Sequence, residues 1–341
     1  MAIRGNGKLR LLYVLDILKE YSDEQHPLNS ADIIDYLSKY DISAERKTIY
    51  DDISLLEFYG CDIIKTGSPK SGWFIGDREF ETPEIYLLCD AVASAKFIST
   101  KKTRELLSKL NSMMSNHQKK ARDNSVFFTE SDKAGNEEIY YSIDTVSRAI
   151  TDKKQIKLIY TSRYLADDRS IAKKRKEMII NPYALTWQDD HYYLIGNHSK
   201  YDNLIHLRLD KLSAVEILST PSRHFSDVSD YKDFFDTADY TNKHFGMFGG
   251  ETAEIELCCS KEITERVLDR FSEKIFIKKV TENSFNFNIK AAISPTLVTW
   301  IMNYGEDIKV VKPESLKEMI KKRAEQILKS YETNGENNEN A

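Results

Sequence analysis

Leu11, Leu12, Leu15 and Leu18 recur at helical spacing, which predicts a first helix over 8–21. The polar stretch 23–27 ends it. Asn29 or Ser30 can then cap a second helix over 31–39, whose apolar side is Ile33, Ile34 and Leu37. A turn at 40–42 leads to Ser43, a suitable N-cap for a third helix over 44–58, and Gly60 stands just past its end. A strand over 61–65, a turn-rich tip over 66–72 and a return strand over 73–75 complete a hairpin.

Beyond the hairpin the helical period returns over 82–115 in two segments parted near 99–102, with stripes of Ile85, Leu88, Val92 and Ala95 and then of Leu106, Leu107 and Leu110. Residues 117–138 are polar and read as a linker. A helix over 144–151 precedes strand-like runs at 155–160, 177–187, 191–197, 204–209 and 214–218, a pattern that suits a small β-barrel or curled sheet. The last third reads strand 253–259, helix 261–271, strands 275–280 and 285–293, helix 295–304 and strand 308–311, which is the β-α-β-β-α-β ferredoxin-like plan. A helix over 313–331 opens on a proline, and the Asn- and Glu-rich tail 332–341 is expected to be disordered. The fold class is therefore α+β and multidomain, divided at 1–78, 79–138, 139–222, 223–331 and 332–341.

Composition narrows the function. A chain of 341 residues with 41% hydrophobic and 30% charged residues suits a multidomain globular protein. Its start is polar, and the early apolar run 11–18 is broken by Asp16 and too short for a bilayer, so a cytoplasmic protein without a membrane segment is expected. The net charge of −5 argues against a surface coated with cations for indiscriminate nucleic-acid binding, though not against a local basic surface. Cys61, Cys89, Cys258 and Cys259 form no C-x-x-C pair, and adjacent Cys258 and Cys259 on a strand point to opposite faces, so reduced thiols and no metal or other cofactor are expected. Nucleophile-elbow, zinc-protease and phosphate-loop signatures are all missing, which leaves no catalytic reading.

The third helix carries the candidate chemistry. Ile49, Ile53 and Leu56 share one narrow face, which must be the core face, while Lys47, Tyr50, Asp51 and Ser54 fall opposite, flanked by Arg46 and Thr48. Long polar groups at the start of an exposed helix are what reading a major groove requires. Lys65, Ser68, Lys70 and Ser71 on the hairpin would then meet neighbouring phosphates. Three helices followed by such a hairpin is the order of a winged helix-turn-helix, with double-stranded DNA as its partner. Asp51 and Asp52 count against that reading, since carboxylates are repelled by phosphates.

The run from Ser43 through Arg46, Lys47, Thr48, Ile49, Tyr50, Asp51 and Asp52 to Ile53 resembles the recognition helix of the bacterial winged-helix regulators that carry WYL domains, departing from it at Asp51, where an arginine is common. Asn181-Pro182-Tyr183, then Trp187, then Tyr192-Tyr193-Leu194 and Arg208-Leu209-Asp210-Lys211-Leu212 resemble the WYL domain itself, with tyrosine in place of the tryptophan of the naming triplet. Trp300-Ile301, Tyr304-Gly305 and the stretch from Val310 to Leu316 resemble the extension found beside it. The resemblance implies a small Sm-like β-barrel, a homodimer, and a sensor for a nucleic-acid or nucleotide-like effector.

The effector candidates are Tyr160, Arg163, Tyr183, Tyr192, Tyr193, His206, Arg208 and Lys211, because rings and guanidinium groups suit stacked bases and phosphates. Strand alternation turns Leu207 and Leu209 to the core and His206, Arg208 and Asp210 outward, and Arg163, Arg169, Lys173, Lys174 and Arg175 are expected on an intervening loop. The rival reading is a single-stranded nucleic-acid accessory protein, in which the barrel does the binding and the N-terminal region is an interaction module.

Overall fold

The computed structural model describes residues 7–68, 70–122, 133, 135–271 and 275–332. The chain divides into two compact units, 1–137 and 138–341. Pro69 of the hairpin tip, most of the expected linker after Arg122 and the tail from 333 onward lie outside the described residues.

In the first unit α1 (Gly7–Tyr21), α2 (Ser30–Ser38) and α3 (Arg46–Tyr59) enclose a core with the hairpin β1 (Ile63–Thr66) and β2 (Gly72–Ile75). The face α1 buries is Val14, Ile17 and Leu18, whereas Leu12 is 56% exposed, so the inward stripe lies to one side of the leucine run. Asn29 caps α2 by accepting from the Ala31 and Asp32 amides, and Asp32 returns the bond to the Asn29 amide, a reciprocal capping box. The expected cap of α3 at Ser43 is not formed. Residues 43–45 lie outside the helix, Glu45 takes the cap position in extended conformation with no side-chain hydrogen bond, and the helix starts at Arg46. Gly60 ends it in the left-handed conformation (φ 106°), which glycine adopts without a Cβ penalty. Leu28 pairs with Trp73 through two backbone bonds, and a Cβ on Gly72 would lie 2.7 Å from the Leu28 backbone, so this close approach requires glycine.

Helices α4 (Thr82–Ser94) and α5 (Thr100–Asn111) follow, and part of the expected linker is helical instead, as α6 (Asn116–Arg122). The inward stripe of α4 is Ile85, Cys89 and Ala93, one position round from the predicted Leu88 and Val92. Arg78 donates to the Ser22 and Lys19 carbonyls at the end of α1 (2.7 and 3.0 Å), and buried Ser115 donates to Asp23 (2.6 Å), so these helices are anchored on the three-helix body.

The second unit opens with α7 (Ile139–Thr151), earlier than the predicted start, and an antiparallel sheet of β3 (Lys154–Leu165), β4 (Ile171–Gln188), β5 (His191–His198), β6 (Leu204–Arg208) and β7 (Leu212–Pro221). Strand order is β6-β5-β4-β3-β7. The expected closed barrel is not formed, because β6 and β7 are the two edges and do not pair with each other. They are joined by a short turn at Leu209–Lys211 that sinks Leu209 into the core. The supposed loop is also corrected: Arg163 pairs with Lys173, Ser162 with Lys174 and Thr161 with Arg175 in a long β3–β4 ladder, leaving only Arg169 of that group in the connecting turn.

After α8 (Thr237–Lys243) come β8 (Thr252–Ser260), α9 (Thr264–Phe271), β9 (Ile277–Val280), β10 (Ser284–Ala292), α10 (Pro295–Met302), β11 (Ile308–Lys312) and α11 (Glu314–Glu332). The anticipated β-α-β-β-α-β order is present, in an antiparallel sheet ordered β11-β8-β10-β9. Cys259 is buried in its core and Cys258 half-buried on the other face, as alternation requires.

Candidate nucleic-acid interface

Ile49, Ile53 and Leu56 of α3 are all buried, and Arg46, Lys47, Tyr50 and Ser54 are all exposed on the opposite edge, with Thr48 half-buried between. The amphipathic split read from the sequence is therefore present. Asp52 is not on the exposed edge. It is 2% exposed and receives two bonds from Arg10 of α1 (2.6 and 3.1 Å), so its charge is compensated inside the domain. Only Asp51 faces solvent.

The hairpin brings rings and cations to that edge. Tyr50 meets Trp73 edge to face at 4.9 Å, Lys65 lies 5.7 and 5.8 Å above those two rings, and the Arg46 guanidinium lies 5.8 Å from the Tyr50 ring centre. Arg46 also donates to the Tyr50 hydroxyl at 3.4 Å, and this bond holds the phenol below its ordinary pKa. Arg46, Tyr50, Lys65, Lys70 and Ser71 line one open cavity of about 430 Å³ together with the start of α2. Lys70 is not freely extended: its ammonium sits 2.8 Å from Asp32, the acid of the α2 capping box. Ser68 is exposed beside this group and Lys47, Thr48 and Ser54 continue the α3 edge, none of them lining the cavity. Sequence reading missed Trp73 as the central ring and Asp32 as the wing's anchor. The Leu28–Trp73 pairing that places them is non-local and has no short-range signature.

In the second unit the predicted effector residues separate. Tyr193 pairs in register with Arg208, and Tyr160 sits close enough for Arg208 to act on its phenol, although burial dominates and raises both tyrosines. Arg208 is clamped by Asp210 through two bonds of 3.0 and 2.7 Å. His191 stands 6.1 Å from Tyr193, and burial, then Arg208, pushes its pKa down. Tyr192 lies opposite Trp187 in the ladder, and Lys211 sits half-buried in the turn after Arg208. Arg163 is further out, on the β3–β4 ladder.

Two candidates lie deeper than strand alternation predicts. Tyr183 is 9% exposed, packed near Phe225 and Phe235, with its buried hydroxyl lacking a hydrogen-bond partner among the described residues and its pKa pushed up to about 12 by burial. Segment 222–250 covers a face that strand alternation alone left open. His206, expected outward, is covered by α8 and its flank: Nε2 is 2.8 Å from the Tyr240 hydroxyl and the ring is 5.5 Å from His244. Burial, with His244 adding to it, lowers the His206 pKa to about 4.

A model of the WYL domain matches residues 142–217, and one of the WCX domain matches residues 251–328. The chain thus carries a stretch that matches the WYL domain, followed by one that matches the WCX domain. Tyr160, Tyr193, Arg208 and Asp210 all lie inside the WYL match, whereas the residues that cover His206 lie between the WYL and WCX matches. Among solved structures, proteasome accessory factor B/C (PafBC) of Arthrobacter aurescens is similar, at 16% identity with a TM-score of 0.28. That likeness covers 94% of this chain and 49% of the other, so the chain spans about half of that protein's length. No curated protein matches. Among the described residues no group of His, Cys, Asp and Glu is arranged to hold a metal ion, and no helix is long and apolar enough to cross a membrane.

Proposed function

We propose that this chain is a cytoplasmic, non-enzymatic transcriptional regulator. In this reading α3 and the β1–β2 wing form a winged helix-turn-helix that reads duplex DNA. The WYL region, an open relative of an Sm-like barrel, senses a nucleic-acid or nucleotide-like effector, and the ferredoxin-like WCX region helps to pair two copies so that two heads address a pseudo-palindromic site. The divisions at 1–78, 79–138, 139–222 and 223–331 are the functional parts of that reading. The observation that carries it is the exposed Arg46-Lys47-Tyr50 edge on a helix whose isoleucines anchor it, continued onto Lys65 of the hairpin through two aromatic rings. The effector set of this reading is Tyr160, Tyr193, Arg208 and Lys211, with Tyr192 at its margin and Arg163 further out on the β3–β4 ladder.

The test is selection of bound duplexes from a random pool, followed by titration of the selected sequence. Arg46→Ala with Lys47→Ala is expected to weaken that binding by about 10- to 100-fold, the size of losing groups that reach bases and phosphates. Unchanged duplex affinity would leave the single-stranded accessory reading in its place.

A further inference from the structure

The β3–β4 ladder outruns its sheet. β7 accompanies β3 only as far as Tyr160, and β5 pairs with β4 only from Ile180 onward. Beyond those points the two strands have only each other, from Thr161 opposite Arg175 to Leu165 opposite Ile171, closed by a turn in which Asp168 accepts the Ser170 amide at 2.9 Å. A lone two-stranded ribbon is marginal in water, so its sequence shows what it is exposed for. It carries Arg163, Arg169, Lys173, Lys174 and Arg175 against Asp167 and Asp168, in a chain whose net charge is −5. All five cations are exposed, and among the described residues none of them makes an ion pair.

The register sorts them. Opposed residues share a face, so one face runs from Arg175, through Arg163 and Lys173, to Leu165 and Ile171 at the tip. Leu165 and Ile171 are 69% and 65% exposed, an apolar pair left open to solvent among the described residues. We infer that this ribbon is a second DNA-contacting arm, which lays Arg163, Lys173 and Arg175 on the phosphates of a duplex and sets its aliphatic tip into the groove. A two-stranded ribbon fits a DNA groove, cations in a row neutralise phosphates without regard to sequence, and aliphatic tips serve as wedges at base steps. Single-stranded nucleic acid fits less well, because it needs stacking platforms and Tyr164 is the one exposed ring on the ribbon. The choice of duplex over an anionic lipid surface rests on the function proposed above.

The experiment titrates the full chain against a labelled duplex of scrambled sequence over a range of salt concentrations. Arg163→Gln with Lys173→Gln and Arg175→Gln is expected to weaken binding by at least 10-fold. It should also flatten the slope of log K against log salt by about 2.7, the counterion release of three phosphate contacts. Leu165→Ala with Ile171→Ala should weaken binding with the slope unchanged, which separates the tip from the cations. Far-UV circular dichroism and the melting temperature should match the parent for both, because every substituted side chain is exposed. Adding Arg46→Ala and Lys47→Ala should abolish sequence preference yet leave the slope difference intact, so failure of the head and failure of the arm read out separately. Superimposable salt curves for parent and triple variant would overturn the inference. So would a loss confined to single-stranded oligonucleotide or to vesicles of anionic phospholipid.

Discussion

The head and the WYL sheet each present arginine, but they hold it differently. Arg46 and Lys65 rest on Tyr50 and Trp73 and have no carboxylate partner among the described residues, whereas Arg208 is fastened twice to Asp210. A cation above a ring keeps its full charge and most of its donors for a phosphate, because a ring face is no carboxylate and the one bond that Arg46 gives the Tyr50 hydroxyl is long, 3.4 Å. A cation in a two-pronged carboxylate grip must first exchange that partner for another anion. In the proposed function the head is thus ready for DNA as it stands, and a ligand of the sheet would have to outcompete Asp210. Arg10 and Asp52 show the same grip put to a third use, inside the head, where nothing is meant to displace it.

That distinction predicts the largest effect. Arg10→Ala leaves the Asp52 carboxylate, 2% exposed, without its partner, and should cost about 3 kcal/mol in urea-induced unfolding. Arg10→Ala combined with Asp52→Ala should recover part of that loss, because no buried charge remains. An unfolding midpoint within error of the parent for the single variant would show that the grip does not hold the head together.

Acid should act next, and on the second unit. His206 is held neutral with a pKa near 4, against 6.5 when exposed. The unfolded chain therefore binds the proton more readily, and the stability tied to this histidine is complete above pH 6.5 and lost as pH falls towards 4. By pH 5 the loss should be about 2 kcal/mol, with His244, stacked on Tyr240 and also lowered by burial, adding to it, and Lys243 opposing protonation of His244. Urea titrations of the parent at pH 7.5 and 5 measure the slope. His206→Gln, which keeps an acceptor for Tyr240, should flatten it, and an equal slope in both proteins would refute the assignment.

The two units also differ in how far they could be read in advance. In the head, periodicity located each helix and the buried isoleucines of α3, because a short helix with one apolar face is a local object. What escaped were the pairings across the fold: Arg10 with Asp52, Lys70 with Asp32, and Trp73 against Leu28 and Tyr50. Asp52 was weighed as a repulsive surface charge for want of knowing which way α1 crosses. In the sheet, alternation turns Leu207 and Leu209 inward, as they are, yet it puts His206 in solvent, and aromatic character alone makes Tyr183 a binding candidate. Period two gives only the face of a strand. Segment 222–250 decided what each face meets, since Tyr240, Phe225 and Phe235 cover residues that pattern alone left exposed. The barrel failed for a related reason, because closure depends on whether β6 and β7 meet, and both edges look alike in sequence.

A smaller effect probes the grip itself. Asp210→Asn should free the Arg208 guanidinium and raise affinity for a short single-stranded oligonucleotide by about 3- to 10-fold, while Arg208→Ala should lower it and leave binding to the selected duplex unchanged. Fluorescence anisotropy on both probes measures this. A fall in oligonucleotide affinity for Asp210→Asn would mean that the carboxylate orients Arg208 for the ligand and does not withhold it.

The smallest effect belongs to the ring-held side. Tyr50→Phe removes a 3.4 Å bond on an exposed surface but keeps the ring beneath Lys65 and beside Arg46, so duplex affinity should change by less than about 0.5 kcal/mol. Tyr50→Ala removes the ring as well and should cost about 1 kcal/mol, with Arg46 left without its ring and Lys65 keeping only Trp73. The pair of variants separates the two ways in which Tyr50 could serve. If the hydroxyl reads a base edge, Phe and Ala should be equally damaging. If the ring organises the cations, only Ala should matter, and the contrast with Arg208 holds, because the head's arginine then depends on a ring face and not on a carboxylate grip.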